Sequence, residues 1–323
     1  MQNNICIGTM LWGTRTTEIE AHRIINCALD HDINFFDTAE KYPTFPYKNE
    51  TEGISETILG NWIKQHGKKL VVSTKMKSPV DVDNIMASIE SSLNRLGVDT
   101  IDYYQFHWPN RGSYCFRQNW NYDPSSQNTG KTLDFMHNSL EVLNAAKKQG
   151  KILNYGMSNE TAWGITKWNQ IAKVNNFDTL SFIQNEYSLL HRIFELDLAE
   201  ACHHENIKLL AWTPLAGGLL SGKYTKEITP DNSRRSYGAL GPRDTETVWP
   251  AVEEYKAIAS KHSIDIIHMS LLWVLSRPFI KAAIVGVTTA KQLQHNLGYQ
   301  KYSLTHELIA DINKVYKKYP IPF

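Results

Sequence analysis

Short runs of β-branched and aromatic residues recur along the chain, each followed by a stretch in which apolar side chains return every three or four positions. That alternation predicts parallel strands joined by crossover helices. Eight strands are read, over 5–9, 33–37, 70–74, 101–107, 152–156, 180–184, 207–212 and 282–287, all as buried runs. The helices between them carry end signals. Thr17 and Glu20 make a capping-box pattern ahead of a stripe of Ile24, Ile25, Ala28 and Leu29. Asp81 is read as the cap of a helix with Ile85, Ile89, Leu93 and Leu96 on one face and Gly97 at its left-handed end. Pro250 and Pro278 bracket two late helices.

Eight such units without a linker-like stretch predict an α/β fold, a (β/α)8 TIM barrel forming a single domain over 1–323, with a C-terminal helical extension. Two irregular segments, 110–131 after strand 4 and 225–248 after strand 7, follow strand carboxyl ends, where barrel enzymes build their sites.

Composition changes this picture only by exclusion. With 42% hydrophobic and 21% charged residues the chain is not disordered, and 34 basic against 33 acidic side chains give no footprint for nucleic acid or an anionic membrane. No apolar run is long enough to span a bilayer and the N-terminus lacks a signal-peptide layout, so a cytoplasmic protein is expected. Cys6, Cys27, Cys115 and Cys202 are scattered without CxxC spacing, which predicts reduced core thiols and no metal site. The sequence sets no oligomeric state.

The chemistry is read at three neighbouring strand ends. Strand 2 ends INFFDTAEKY, with Asp37 at its tip and Tyr42 five residues on; strand 3 ends with Lys75, strand 4 with His107. Taken singly, these are an N-cap aspartate, a solvated lysine and a satisfied histidine. Their convergence on one mouth is what singles them out. A free tyrosine, of pKa about 10, is a poor acid at neutral pH, so Lys75 is expected to lower the pKa of Tyr42. Asp37 would keep Lys75 charged against burial, and His107 would hydrogen-bond a substrate oxygen. Trp12 and Trp108 are candidate walls of a substrate pocket.

Rival motifs are weaker. Residues 217–223 read GGLLSGK, but Tyr224 stands where a P-loop needs Ser or Thr, so these glycines are assigned to close approach of a cofactor diphosphate. No GxGxxG dinucleotide fingerprint is present. Cys202, His203, His204 and Glu205 are consecutive on a helix and cannot converge on one ion.

The ordered segments FFDTAEKY, STK, YYQFHWP, GMSNE, FIQNEYSLL, TPLAGGLLSGKY and IVGVTTAKQLQHNL resemble the aldo-keto reductase family over nearly the whole chain, and its bacterial Tas-like branch in particular. The resemblance implies a catalytic tetrad of Asp37, Tyr42, Lys75 and His107, reduction of a small-molecule aldehyde or ketone, and NADPH as hydride donor, with NADH possible. It further implies a nicotinamide held by Thr9, Ser158, Asn159 and Gln184 and stacked on Trp212, and a diphosphate along Thr213, Leu215 and Lys223. The adenosine end falls on Gly286, Thr288, Gln292 and Asn296, with Arg234, or Arg235 under a shifted gap, meeting the 2′-phosphate. His295 departs from the acidic residue that many relatives carry at that place. A second implied function is that of a redox-sensing nicotinamide-binding regulatory subunit, similar to potassium-channel β subunits.

Overall fold

The structure, a computed structural model, describes residues 4–45, 48–116 and 118–323. Eight parallel strands close into a barrel in sequence order: β1 Ile5–Gly8, β2 Phe35–Asp37, β3 Val71–Met76, β4 Ile101–Phe106, β5 Ile152–Ser158, β6 Phe182–Glu186, β7 Lys208–Trp212 and β8 Ile280–Gly286. Around them run α1 Glu18–Leu29, α2 Ile54–His66, α3 Ile85–Leu96, α4 Thr129–Lys148, α5 Ala162–Val174, α6 Asp197–His204, α7 Val248–Lys261 and α8 Ile266–Leu275. After β8 come α9 Ala290–Asn296 and α10 His306–Lys318, the expected C-terminal extension. The chain is a (β/α)8 barrel of the TIM type.

Two apolar layers make the core. The larger lies between strands and helices; a smaller plug of Cys6, Phe182, Leu210, Ala282 and Ile284, backed by Phe35 and Tyr103, fills the barrel interior. All four cysteines are buried free thiols. Among the described residues no helix is long and apolar enough to cross a membrane.

The helix signals are partly corrected. Thr17 caps α1 by accepting the Glu20 N–H at 3.3 Å, but the Glu20 carboxylate does not fold back. It accepts the Ala290 N–H at 2.9 Å, satisfying a free donor at the start of α9 and tying the first helix to the ninth. Asp81 makes no side-chain cap; a single 3-10 turn over Val82–Asn84 intervenes before α3. Gly97 ends α3 in the left-handed region, as expected. The GGLLSGK segment opens no α-helix: it forms 3-10 turns with Gly217 and Gly218 at φ of 70° and 104°, a conformation unlike a P-loop leading into a helix.

Both long loops are as irregular as the sequence suggests. The first runs from the end of β4 to α4 with one short turn at Pro124–Ser126, and the second from β7 to α7 with turns at Ala216–Ser221, Arg235–Tyr237 and Gly241–Arg243. At the opposite extreme of packing, Gly60 lets α2 approach the end of α3 so closely that a Cβ there would lie 2.4 Å from the Arg95 carbonyl oxygen. Backbone cannot yield as a side chain would. Gly60→Ala is expected to lower unfolding free energy by about 1–3 kcal/mol in denaturant titration, whereas Gly130→Ala, whose Cβ would meet only Asn128 Oδ1 at 3.5 Å, does not.

Candidate active site

Strand register decides which side chains meet. Asp37 pairs with Gly8 of β1 and Ser73 of β3, Lys75 with Gln105 of β4, and Ser158 of β5 with Gln184 of β6. Above the apolar plug this makes a polar layer centred on Asp37. Lys75 Nζ donates to Asp37 Oδ2 at 2.7 Å and to the Thr38 carbonyl at 2.6 Å. Asp37 Oδ1 accepts from Ser73 Oγ at 2.9 Å and from Gln184 Nε2 at 2.7 Å, and Gln105 Nε2 donates to Ser73 Oγ at 3.1 Å.

Lys75 is 1% exposed. Burial alone would pull its pKa down, but the Asp37 carboxylate opposes that by its charge and its hydrogen bond, and the net shift is above the ordinary lysine value. Removing either member of this buried pair would strand the other, at a cost of about 3–5 kcal/mol.

Tyr42 is buried, with Lys75 Nζ 4.9 Å from its ring centre. Here the sequence expectation needs correcting. Lys75 does pull the phenol pKa down, but desolvation is the larger effect and the net shift is upward. The hydroxyl therefore stays protonated in the free protein. His107 lies 5.6 Å from Tyr42, ring edge to face. Burial and the cations Lys75 and Lys41 push its pKa well below the usual value, so it is neutral, and its Nδ1 is buried with no partner among the described residues.

The loop after β4 is clamped beside this centre. Arg111 forms a bidentate pair with Glu160, and Ser113 Oγ donates to the Asn159 carbonyl at 2.8 Å. That brings Trp108 and Phe116 over the mouth: Trp108 lies parallel to His107 at 6.5 Å, and Phe116 packs 5.6 Å from Trp108 and 6.0 Å from Trp212. The loop after β7 is held by Arg243, which donates twice to Glu186 Oε1 at 2.8 and 2.7 Å. It also reaches across the opening, where Arg15 donates to the Asn232 carbonyl at 2.7 Å and Phe45 meets Tyr237 at 6.1 Å.

The other sequence candidates divide. Ser158, Asn159 and Gln184 sit together at the ends of β5 and β6, with Ser158 Oγ donating to the Gln184 carbonyl at 2.8 Å. Thr213 adopts φ 59° and opens the turn carrying Leu215 and Gly217, while Lys223 is exposed just beyond. Thr288 donates from both its N–H and its hydroxyl to Gln292 Oε1, at 2.8 and 3.0 Å. Gly286 ends β8, and Asn296 is buried at the end of α9. Arg234 rests on Met10 Sδ at 3.9 Å and against the Gly217 turn; among the described residues it has no acidic partner, and no hydrogen bond or ion pair joins it to the Thr288–Gln292 segment. Arg235 is committed elsewhere, to Asp244 at 2.9 Å and over the Trp249 ring. Trp12 does not line the pocket. It is fully buried against Phe36 in the layer between strands and helices and offers no surface to the mouth.

Comparison with known proteins gives the family. Residues 4–317 match the aldo/keto reductase family. The protein called Protein tas of Escherichia coli is 34% identical over 98% of this chain and 94% of its own length. A probable voltage-gated potassium channel subunit beta of Arabidopsis thaliana is 28% identical, covering 88% of this chain and 83% of its own. An NADH-specific methylglyoxal reductase of Escherichia coli is 25% identical, covering 94% and 85%. The chain belongs to the aldo/keto reductase family.

In this aldo-keto reductase, sequence reading missed Ser73, Gln105, Glu186, Arg243 and the Arg111–Glu160 clamp. Ser73 and Gln105 carried a readable signal: polar residues at inward positions of buried strands, in phase with Lys75 and His107. The loop arginines had none. With Tyr42 a phenol, Lys75 charged and His107 neutral, any proton-linked activity at this mouth is expected to be level from about pH 6 to about pH 9. Initial rates across that range check it; a step near the ordinary histidine value would contradict a neutral His107.

Proposed function

We propose that this aldo-keto reductase reduces an aldehyde or ketone to the alcohol with NADPH, and that Tyr42 is the proton donor. The observation carrying the proposal is a buried phenol kept protonated beside a lysine kept charged, with a neutral imidazole across the opening.

The surrounding residues fit a nicotinamide dinucleotide. Thr9 Oγ1, Asn159 Oδ1 and Trp212 Nε1 are buried without partners among the described residues, so each awaits a polar ligand atom. On this reading Thr9, Ser158, Asn159 and Gln184 hold the carboxamide side, Trp212 the ring, and Thr213, Leu215, Lys223 and the Gly217–Gly218 turn the diphosphate. Gly286, Thr288, Gln292 and Asn296 take the adenosine end. Arg234, a half-buried guanidinium lacking a carboxylate among the described residues, takes a cofactor phosphate; with Lys223 it favours NADPH over NADH, since an extra phosphate needs cationic partners.

When bound, the nicotinamide supplies the hydride to the carbonyl carbon. As negative charge gathers on the carbonyl oxygen, Tyr42 transfers its hydroxyl proton there, and Lys75 stabilises the phenolate left behind. Asp37 keeps Lys75 charged throughout. His107, neutral, orients the carbonyl by hydrogen bonding, and Trp108, Phe116 and Trp212 keep water from the acceptor. The phenolate recovers its proton from solvent before the next turnover.

Tyr42→Phe should bind NADPH as the wild type does and reduce a neutral aldehyde about 10²–10⁴-fold more slowly, followed by loss of NADPH absorbance. Near-wild-type reduction by that variant would remove Tyr42 from the role. A regulatory reading is kept in view by the likeness to a protein named as a channel subunit. It predicts tight nucleotide binding with uniformly slow turnover across many carbonyls and co-purification with a protein partner, so the same assay separates the two.

A further inference from the structure

Away from the mouth, the start of α8 and the end of α9 bring Asp265, His268 and His295 together, with one ligand atom from each lying within 4.8 Å of the others. We propose that these three residues bind a divalent cation of the zinc class.

His268 decides the chemistry. Its ring is 8% exposed, and Nε2 lies 2.6 Å from the His295 carbonyl oxygen. A carbonyl oxygen only accepts, so Nε2 carries the ring proton and Nδ1 is left as a bare lone pair. That Nδ1 is buried and has no partner among the described residues. An imidazole whose second nitrogen donates to a backbone carbonyl is the form in which histidine ligates metals, the outer hydrogen bond fixing tautomer and orientation. Gly298 holds the ring in place: a Cβ there would come within 2.6 Å of His268 Nε2.

Asp265 is oriented in the same manner. Its Oδ1 accepts the Ile267 N–H at 2.7 Å, capping α8, while Oδ2 lies 3.3 Å from His295 Nε2. Zinc takes nitrogen and oxygen ligands at about 2.0–2.2 Å in a tetrahedron, which sets neighbouring ligand atoms roughly 3.4 Å apart. The Asp265–His295 separation already has that value. The remaining closure falls to the His295 ring, since His295 is 51% exposed, while Asp265, 37% exposed, keeps its cap. Their exposure leaves a fourth position for water. Two imidazoles select zinc and its transition-metal neighbours over magnesium or calcium, which prefer oxygen ligands.

A second grouping, His262, Glu307 and Asp311, shows what a non-site looks like. The Asp311 carboxylate is already taken by Lys261 at 2.7 Å, His262 at 3.0 Å and Lys314 at 3.0 Å, so its lone pairs face cations of the protein itself. Among the described residues the Asp265 grouping has no lysine or arginine as a bonded partner. A bound ion would clip α8 to the end of α9, the helix that carries Gln292 and Asn296.

The test uses the full chain, stripped with EDTA and dialysed against zinc chloride alone, with bound metal counted and thermal unfolding followed. The expected result is one zinc per chain and a raised Tm. Binding should weaken at least about tenfold in His268→Gln, His295→Gln and Asp265→Asn, the last preserving the helix cap, and stay unchanged in His262→Gln. Because His295 is half exposed, its variant should fold normally, as circular dichroism would verify. Undiminished zinc binding by folded His295→Gln, or no uptake by the wild type at millimolar zinc, would overturn the proposal. Neither measurement involves nucleotide or carbonyl, so its outcome is independent of the reductase reading.

Discussion

A lysine at the centre of a closed parallel barrel can keep its charge only if a carboxylate meets it there, and the mouth of this protein is organised around that requirement. Asp37 and Lys75 lie on adjacent strands, and their 2.7 Å contact is surrounded by Ser73, Gln105 and Gln184 from β3, β4 and β6. Each supporting residue is a polar side chain on a buried stretch of its strand. The layer beneath is an apolar plug that offers no hydrogen bonds, so the polar layer must satisfy itself sideways. What it leaves for the opening is a protonated Tyr42, a charged Lys75 and a neutral His107.

The same layer links stability to chemistry. The Asp37–Lys75 pair is poor value as a stabilising device, because an apolar pair of similar volume would serve the fold at least as well. On the proposed function, its place at the carboxyl end of the barrel is preorganisation: the cation is in position before charge develops on a substrate oxygen. The two long loops then close over the centre through buried arginine–carboxylate pairs, Arg111 with Glu160 and Arg243 with Glu186, and these set the aromatic walls Trp108, Phe116 and Trp212.

The barrel was legible because eight buried runs alternate with helical stripes, a pattern that few folds share, and Asp37, Lys75 and His107 were legible because they interrupt apolar strands at their ends. Burial set the limit. Whether Lys75 lowers the Tyr42 pKa depends on how deeply the phenol sits, and Trp12 reads as a pocket wall until the fold turns it onto Phe36. Loop contacts such as Arg15 with Asn232 join residues more than two hundred positions apart and follow no period. The metal grouping is hidden for the same reason: Asp265 and His268 share a helix start, but His295 reaches them only through the packing of α9, and the scattered cysteines point away from any metal.

The central claim is that Asp37 sustains the chemistry by keeping Lys75 charged beneath Tyr42. Single-turnover oxidation of bound NADPH by a reactive aldehyde, compared between wild type and Asp37→Asn at matched fold and saturating nucleotide, tests it most directly. Asn, nearly isosteric but uncharged, is expected to bind nucleotide normally and to slow the step by about 10²-fold or more. A rate within about twofold of wild type would show that the charge on Asp37 is dispensable and that the polar layer serves the fold alone.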